Sequence, residues 1–173
     1  DVGDAWAVYY GDNTDYMVLD TTAATADAAT YFNDTSPSAT VFTVNTAHSV
    51  NADGEKYIAY CWRSIDGFSK IGAYTGNGAV DGTFVHTGFR PAWIMIKKAS
   101  ASGSGWMILD TTRSPLVLDK YLEANSAGAE GTAIHGTVTD TGFNITGTFG
   151  ALNTDGVTYI YAAFADKREY AYW

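Results

Sequence analysis

The chain repeats itself, and this limits its possible folds more than any other property. Ala5-Trp-Ala-Val-Tyr-Tyr10 resembles Ala92-Trp-Ile-Met-Ile-Lys97, an offset of 87 residues at the tryptophans. Met17-Val-Leu-Asp-Thr-Thr22 returns as Met107-Ile-Leu-Asp-Thr-Thr112 at an offset of 90, and Asn51-Ala-Asp-Gly-Glu-Lys-Tyr-Ile58 returns as Asn153-Thr-Asp-Gly-Val-Thr-Tyr-Ile160 at 102. Matches in one order with slowly growing offsets indicate a duplication whose insertions fall in the connections. A chain of 173 residues has room for one ordinary domain or two small ones, each able to bury a core.

Both copies decode to strands. Each has an Ala-Trp strand, a loop of Gly, Asn, Asp or Ser, and a second strand ending in Leu-Asp-Thr-Thr. A less regular stretch follows, Ala23 to Ser38 or Arg113 to Gly131. Then come a short strand, Val41–Val44 or Gly142–Ile145, and a turn containing Asn-x-Asp-Gly. The last strand, Tyr57 to Arg63 or Val157 to Phe164, is apolar almost throughout and is expected to lie buried in mid-sheet, with Cys61 as a small core residue. Composition agrees: charged residues are 17% and aromatics 14%, with Glu and Lys, good helix formers, scarce. A single cysteine excludes an internal disulfide framework.

Copy two has a preface that copy one lacks. Phe68-Ser-Lys-Ile-Gly-Ala-Tyr-Thr75 alternates apolar with small or polar residues, Gly76-Asn77-Gly78 turns the chain, and Thr87-Gly-Phe-Arg-Pro91 leads into the Ala-Trp strand. The expected fold is therefore all-β, with two related antiparallel β-sandwich-like repeat units at 1–66 and 67–173, the first incomplete at its N-terminus. A start at Asp1 rather than Met is read as a processed product or a piece of a longer chain. Preceding strands, or another part of the assembly, would complete copy one.

Chemistry is sparse. The histidines, His48, His86 and His135, sit in no nucleophile motif, and Gly103-Ser104-Gly105 lacks the flanks of a nucleophile elbow, so it reads as a hairpin tip. One Cys and three scattered His give no zinc-ligand spacing. Asp53-Gly54 and Asp155-Gly156 are turn signals, since a calcium loop would need more spaced carboxylates. Asp20 and Asp110, each before Thr-Thr, read as acceptors for backbone amides at strand ends. A surface hydrolase using either would need a second carboxylate nearby. No catalytic, cofactor or metal site is expected.

Aromatic rings are the remaining means of recognition. Sugars stack on Trp and Tyr faces, so an exposed cluster of Tyr9, Tyr10, Tyr16 or Tyr31 could hold a glycan, whereas repeat-matched Trp6, Trp93, Tyr57 and Tyr159 are expected in the core. The tail Tyr170-Ala-Tyr-Trp173 covers a core edge or docks on a neighbour. Asn33-Asp-Thr35 and Asn144-Ile-Thr146 match the glycosylation pattern. A formal charge of −9 argues against nucleic acid and anionic membrane as partners, and no apolar run reaches the ~18 residues of a spanning helix.

The stretches Phe68 to Gly78, Thr87 to Lys98, Met107 to Asp110 and Thr158 to Ala165 resemble the tandem repeat modules of tail-fibre and other virion-associated structural proteins of marine and cyanobacterial tailed phages. Copy one resembles the module that usually precedes it. The resemblance implies lectin-like or SPRY-associated β modules in a non-enzymatic virion component, either a tail fibre or a capsid decoration. It implies fibre or other virion subunits as partners, with homo-oligomers, and contact with host-surface glycan. A bacterial extracellular adhesin, a filament subunit or a carbohydrate-binding module would suit the same composition. All place the chain on a virion or outside the cell.

Overall fold

The computed structural model describes residues 4–166. Over these residues the chain forms β1 (Ala7–Val8), β2 (Asp15–Val18), β3 (Ala26–Asp27), the single turns α1 (Ala29–Phe32) and α2 (His48–Asn51), β4 (Ser69–Thr75), β5 (Phe84–His86), β6 (Pro91–Lys98), β7 (Met107–Asp110), β8 (Lys120–Glu123), β9 (Gly131–Thr132), β10 (Gly136–Thr139), β11 (Gly142–Ile145) and β12 (Thr158–Ala165). The protein is all-β, and its strands pair antiparallel.

A six-stranded sheet, ordered β4-β12-β6-β7-β8-β9, lies between two smaller ones, β10-β11-β5 and β1-β2-β3. Successive side chains of a strand point to opposite faces, so β6 and β12 serve two layers at once. Ile94, Ile96, Tyr159, Tyr161 and Ala163 join Val85, Phe143 and Ile145 in the larger core. On the other face, Met95 and Ile160 meet Met17, Trp106, Val8 and Leu19, which ties the N-terminal strands to the central sheet. Burial on both faces explains why these two strands are apolar nearly throughout. Lys97 and Lys98 end β6 as exceptions; Lys97 is buried, its ammonium donates to Ser104 O at 2.8 Å, and burial, aided by neighbouring Lys98, pulls its pKa down to about 8.

The Asn-x-Asp-Gly motif folds alike in both places. Val50 and Asn51 N–H donate to Ala47 O, as Leu152 and Asn153 N–H donate to Phe149 O. Tyr57 Oη accepts from Ala52 N and donates to His48 O; Tyr159 Oη accepts from Thr154 N and donates to Gly150 O. Gly54 and Gly156 both take positive φ, 75° and 69°, as the Asp-Gly turns require.

Other expectations need correction. Val41–Val44 forms no strand, and Tyr57 to Arg63 is neither a strand nor buried; Cys61 is exposed, as are Trp6 and Tyr57. The reason is the absence of neighbours. β12 is flanked by seven residues of β4 and eight of β6, whereas β1, the counterpart of β6, has two residues and no described strand stands where β4 would. The tail Tyr170 to Trp173 lies outside the described residues.

Candidate ligand-binding groove

The register of the central sheet sets one row of side chains across four strands. Ser69 pairs with Phe164, Phe164 with Trp93, and Trp93 with Asp110. Directly paired residues share a face, and here it is the face that Met95 and Ile160 use further along. The N-terminal layer stops short of this end of the sheet, so the row stays open. Trp93 and Phe164 sit with ring centroids 5.7 Å apart, and Phe68 meets Phe164 edge-on at 6.2 Å. An open groove of about 480 Å³ runs here, lined by Phe68, Ala92, Trp93, Asp110, Thr112, Ala165 and Asp166.

Asp110 ends β7 and is held hard in place. Its Oδ1 accepts from Thr112 N at 3.0 Å and Arg113 N at 2.9 Å; Oδ2 accepts from Arg113 Nε at 2.5 Å. Burial alone would raise its pKa, but the bonds and charge of Arg113 outweigh this and hold the carboxyl below its usual range. Arg113 also bonds Glu130 at 2.9 Å. The strand-end reading of Asp110 thus describes its bonding, and the carboxylate remains an ionised acceptor at the groove wall. Asp20 acts similarly, accepting from Trp6 N at 3.0 Å. An apolar ring face beside an anionic acceptor and the Thr112 hydroxyl suits a ligand with both an apolar face and hydroxyl groups.

Of the four tyrosines proposed for recognition, Tyr9, Tyr16 and Tyr31 gather with Phe32 as a small core, whereas Tyr10 packs against the Met17 and Trp106 cluster. Tyr16 and Tyr31 stack on each other at 3.6 Å, Tyr9 meets buried Phe32 edge-on at 5.4 Å, and all four tyrosines are half-buried. Tyr10 donates to Asp15 at 3.0 Å, and burial followed by that bond pushes its pKa up to about 12. Gly103-Ser104-Gly105 lies in the hairpin between β6 and β7. His48 pairs with Asp4, His86 is on β5, and among the described residues no group of three or more His, Cys, Asp or Glu could hold a metal. Sequence reasoning missed Phe68, Phe164 and Trp93 as a surface row, because pairing in the repeat marked Trp93 as core.

His135 is a separate feature. It is 2% exposed, its ring lies 5.0 Å from Tyr121 and 4.9 Å from Phe149, and neither ring nitrogen has a hydrogen-bond partner. Burial lowers its pKa. The unfolded chain takes up this proton near pH ~6.5 while the folded chain resists it, so stability falls as pH drops through that value. We expect the urea midpoint to drop between pH 7.5 and 5.5, and His135→Phe to flatten the drop. An unchanged slope in the variant would show that His135 does not control it.

A family model matches residues 2–168. The chain belongs to DUF7483, a domain family of unknown function. Comparison with curated proteins and with solved structures gave no match.

Proposed function

We propose that this DUF7483 domain is a non-enzymatic structural and adhesion module of a virion, in a tail fibre or capsid decoration, that contacts host-surface glycan through the Trp93 groove. The observation that carries the glycan reading is the open row of Phe68, Phe164 and Trp93 beside ionised Asp110 and Thr112. Rings supply area for the apolar face of a sugar, and the carboxylate and hydroxyl fix its orientation. The virion setting rests on the resemblance of the repeat, and the acidic, Thr- and Gly-rich composition suits it.

The test is a glycan array followed by titration of the best ligand into the intact protein, read by calorimetry. Trp93→Ala should weaken binding at least about tenfold, or ~1.4 kcal/mol, while Tyr16→Ala leaves it unchanged. An array without hits, or a Trp93→Ala protein that binds as well as wild type, removes the glycan role and leaves a spacer. Mass spectrometry of purified particles tests the setting, and a chain found only in host fractions would refute it.

A further inference from the structure

From the Asp53-Gly54 turn to the turn at 65–68 the chain runs without a strand partner. Among the described residues, no backbone N–H from Tyr57 to Ser64 donates to a protein acceptor. Tyr57, Ile58, Tyr60 and Trp62 are 44, 72, 63 and 66% exposed. The segment is nonetheless shaped. Tyr57 is pinned by the Asn-x-Asp-Gly turn, and Trp6, Tyr60 and Trp62 form a ladder with centroids 6.1 and 6.0 Å apart. Natural proteins protect such edges with charges, prolines or bulges; from Tyr57 to Trp62 there is neither charge nor proline. The matching strand β12 has a partner on each side.

We propose that Tyr57–Arg63 pairs antiparallel with the same segment of a second copy of this chain, across a two-fold axis that sets Ala59 opposite Ala59. Charge selects both occupant and register. In this alignment Glu55 of each copy faces Arg63 of the other, Lys56 faces Trp62, and Ile58 faces Tyr60, so opposite charges and apolar pairs meet. Parallel, in-register pairing would set Lys56 against Lys56 and Arg63 against Arg63. Antiparallel pairing shifted by one residue sets Lys56 against Arg63, and shifted by two leaves Glu55 without a basic partner. The contact is isologous and closes on itself as a dimer, joining two chains by strand addition. It is independent of the glycan groove, which lies on the central sheet.

Light scattering and sedimentation of the intact protein in reducing buffer should give a concentration-dependent dimer. Ala59→Pro removes a backbone donor that has no partner within the chain, so it should weaken the dimer at least about tenfold while leaving the circular dichroism and melting temperature unchanged. Register is read by cross-linking. Facing residues of an antiparallel ladder have Cα atoms ~4.5–5.5 Å apart, within disulfide reach, so Ala59→Cys combined with Cys61→Ser should oxidise to a covalent dimer. In the same register the two Cys61 residues stand ~13 Å apart, and the wild-type protein should not cross-link. A monomer at all concentrations, a trimer, a dimer that Ala59→Pro leaves intact, or cross-linking through Cys61 would each overturn the proposal.

Discussion

Asn153→Ala is expected to cost about 3–5 kcal/mol of stability, whereas Asn51→Ala, the same change in the matching motif, should stay within about 0.5 kcal/mol. Asn153 is completely buried. Its Oδ1 accepts from Asn77 N at 2.9 Å, and its Nδ2 faces Asn77 Oδ1 at 3.1 Å, Ala79 O at 3.0 Å and Gly147 O at 2.8 Å. One amide thereby ties the turn after β4, the loop before β5 and the connection after β11. Truncation leaves Asn77 N–H and Gly147 O without partners, each worth about 1–3 kcal/mol, and opens a gap where the amide sat, while Ala79 O and Asn77 Oδ1 keep bonds from Gly82 N and Ala79 N. Asn51 is exposed, and its side chain makes no such bonds. Urea denaturation of the two variants side by side checks this, with Asn153→Ala melting about 10 °C or more below wild type. Equal losses would mean that the motif acts only through its turn.

That contrast also marks how far the sequence could be read. The all-β class was legible because β6 and β12 are apolar nearly throughout, and the Asn-x-Asp-Gly turns because Gly and Asp tolerate the backbone they need. Residues 47–57 and 149–159 do fold alike. Apolarity, however, reports only that the faces of a strand avoid water; it carries no information about its edges. Tyr57–Arg63 therefore reads like β12, although β12 has two flanking strands and Tyr57–Arg63 has none among the described residues. The groove was hidden for a related reason. Trp93 and Met95 lie on the same face of β6, but the N-terminal layer reaches Met95 and leaves Trp93 at the open end. Where a covering layer stops depends on tertiary placement, which neither periodicity nor repeat matching reports.

Gly82→Ala should be the most damaging small substitution in the chain, and Gly156→Ala separates the causes. Both glycines have left-handed φ, 64° and 69°, so either alanine pays the ~1–2 kcal/mol that a Cβ costs there. At Gly156 an added Cβ has nothing within 4 Å. At Gly82 it would lie 1.4 Å from Ile145 O and 2.4 Å from Ile145 C, backbone atoms of a strand in the larger core. The loop cannot simply lift away. Asn77 Nδ2 donates to Gly82 O at 2.5 Å, Asn144 Nδ2 to Asp81 O at 3.1 Å, and Ile145 N to Thr83 O at 2.9 Å. Relieving the clash means giving up these bonds or the seat of Ile145, which is completely buried. The loss should exceed that of Gly156→Ala by at least about 2–3 kcal/mol, and a total above 4 would place it among the exceptional single substitutions. Failure of Gly82→Ala to fold while Gly156→Ala folds agrees with this. Variants within about 1 kcal/mol of each other in urea would show that the loop at 79–83 is free to move and that its close approach to β11 is not needed for the fold.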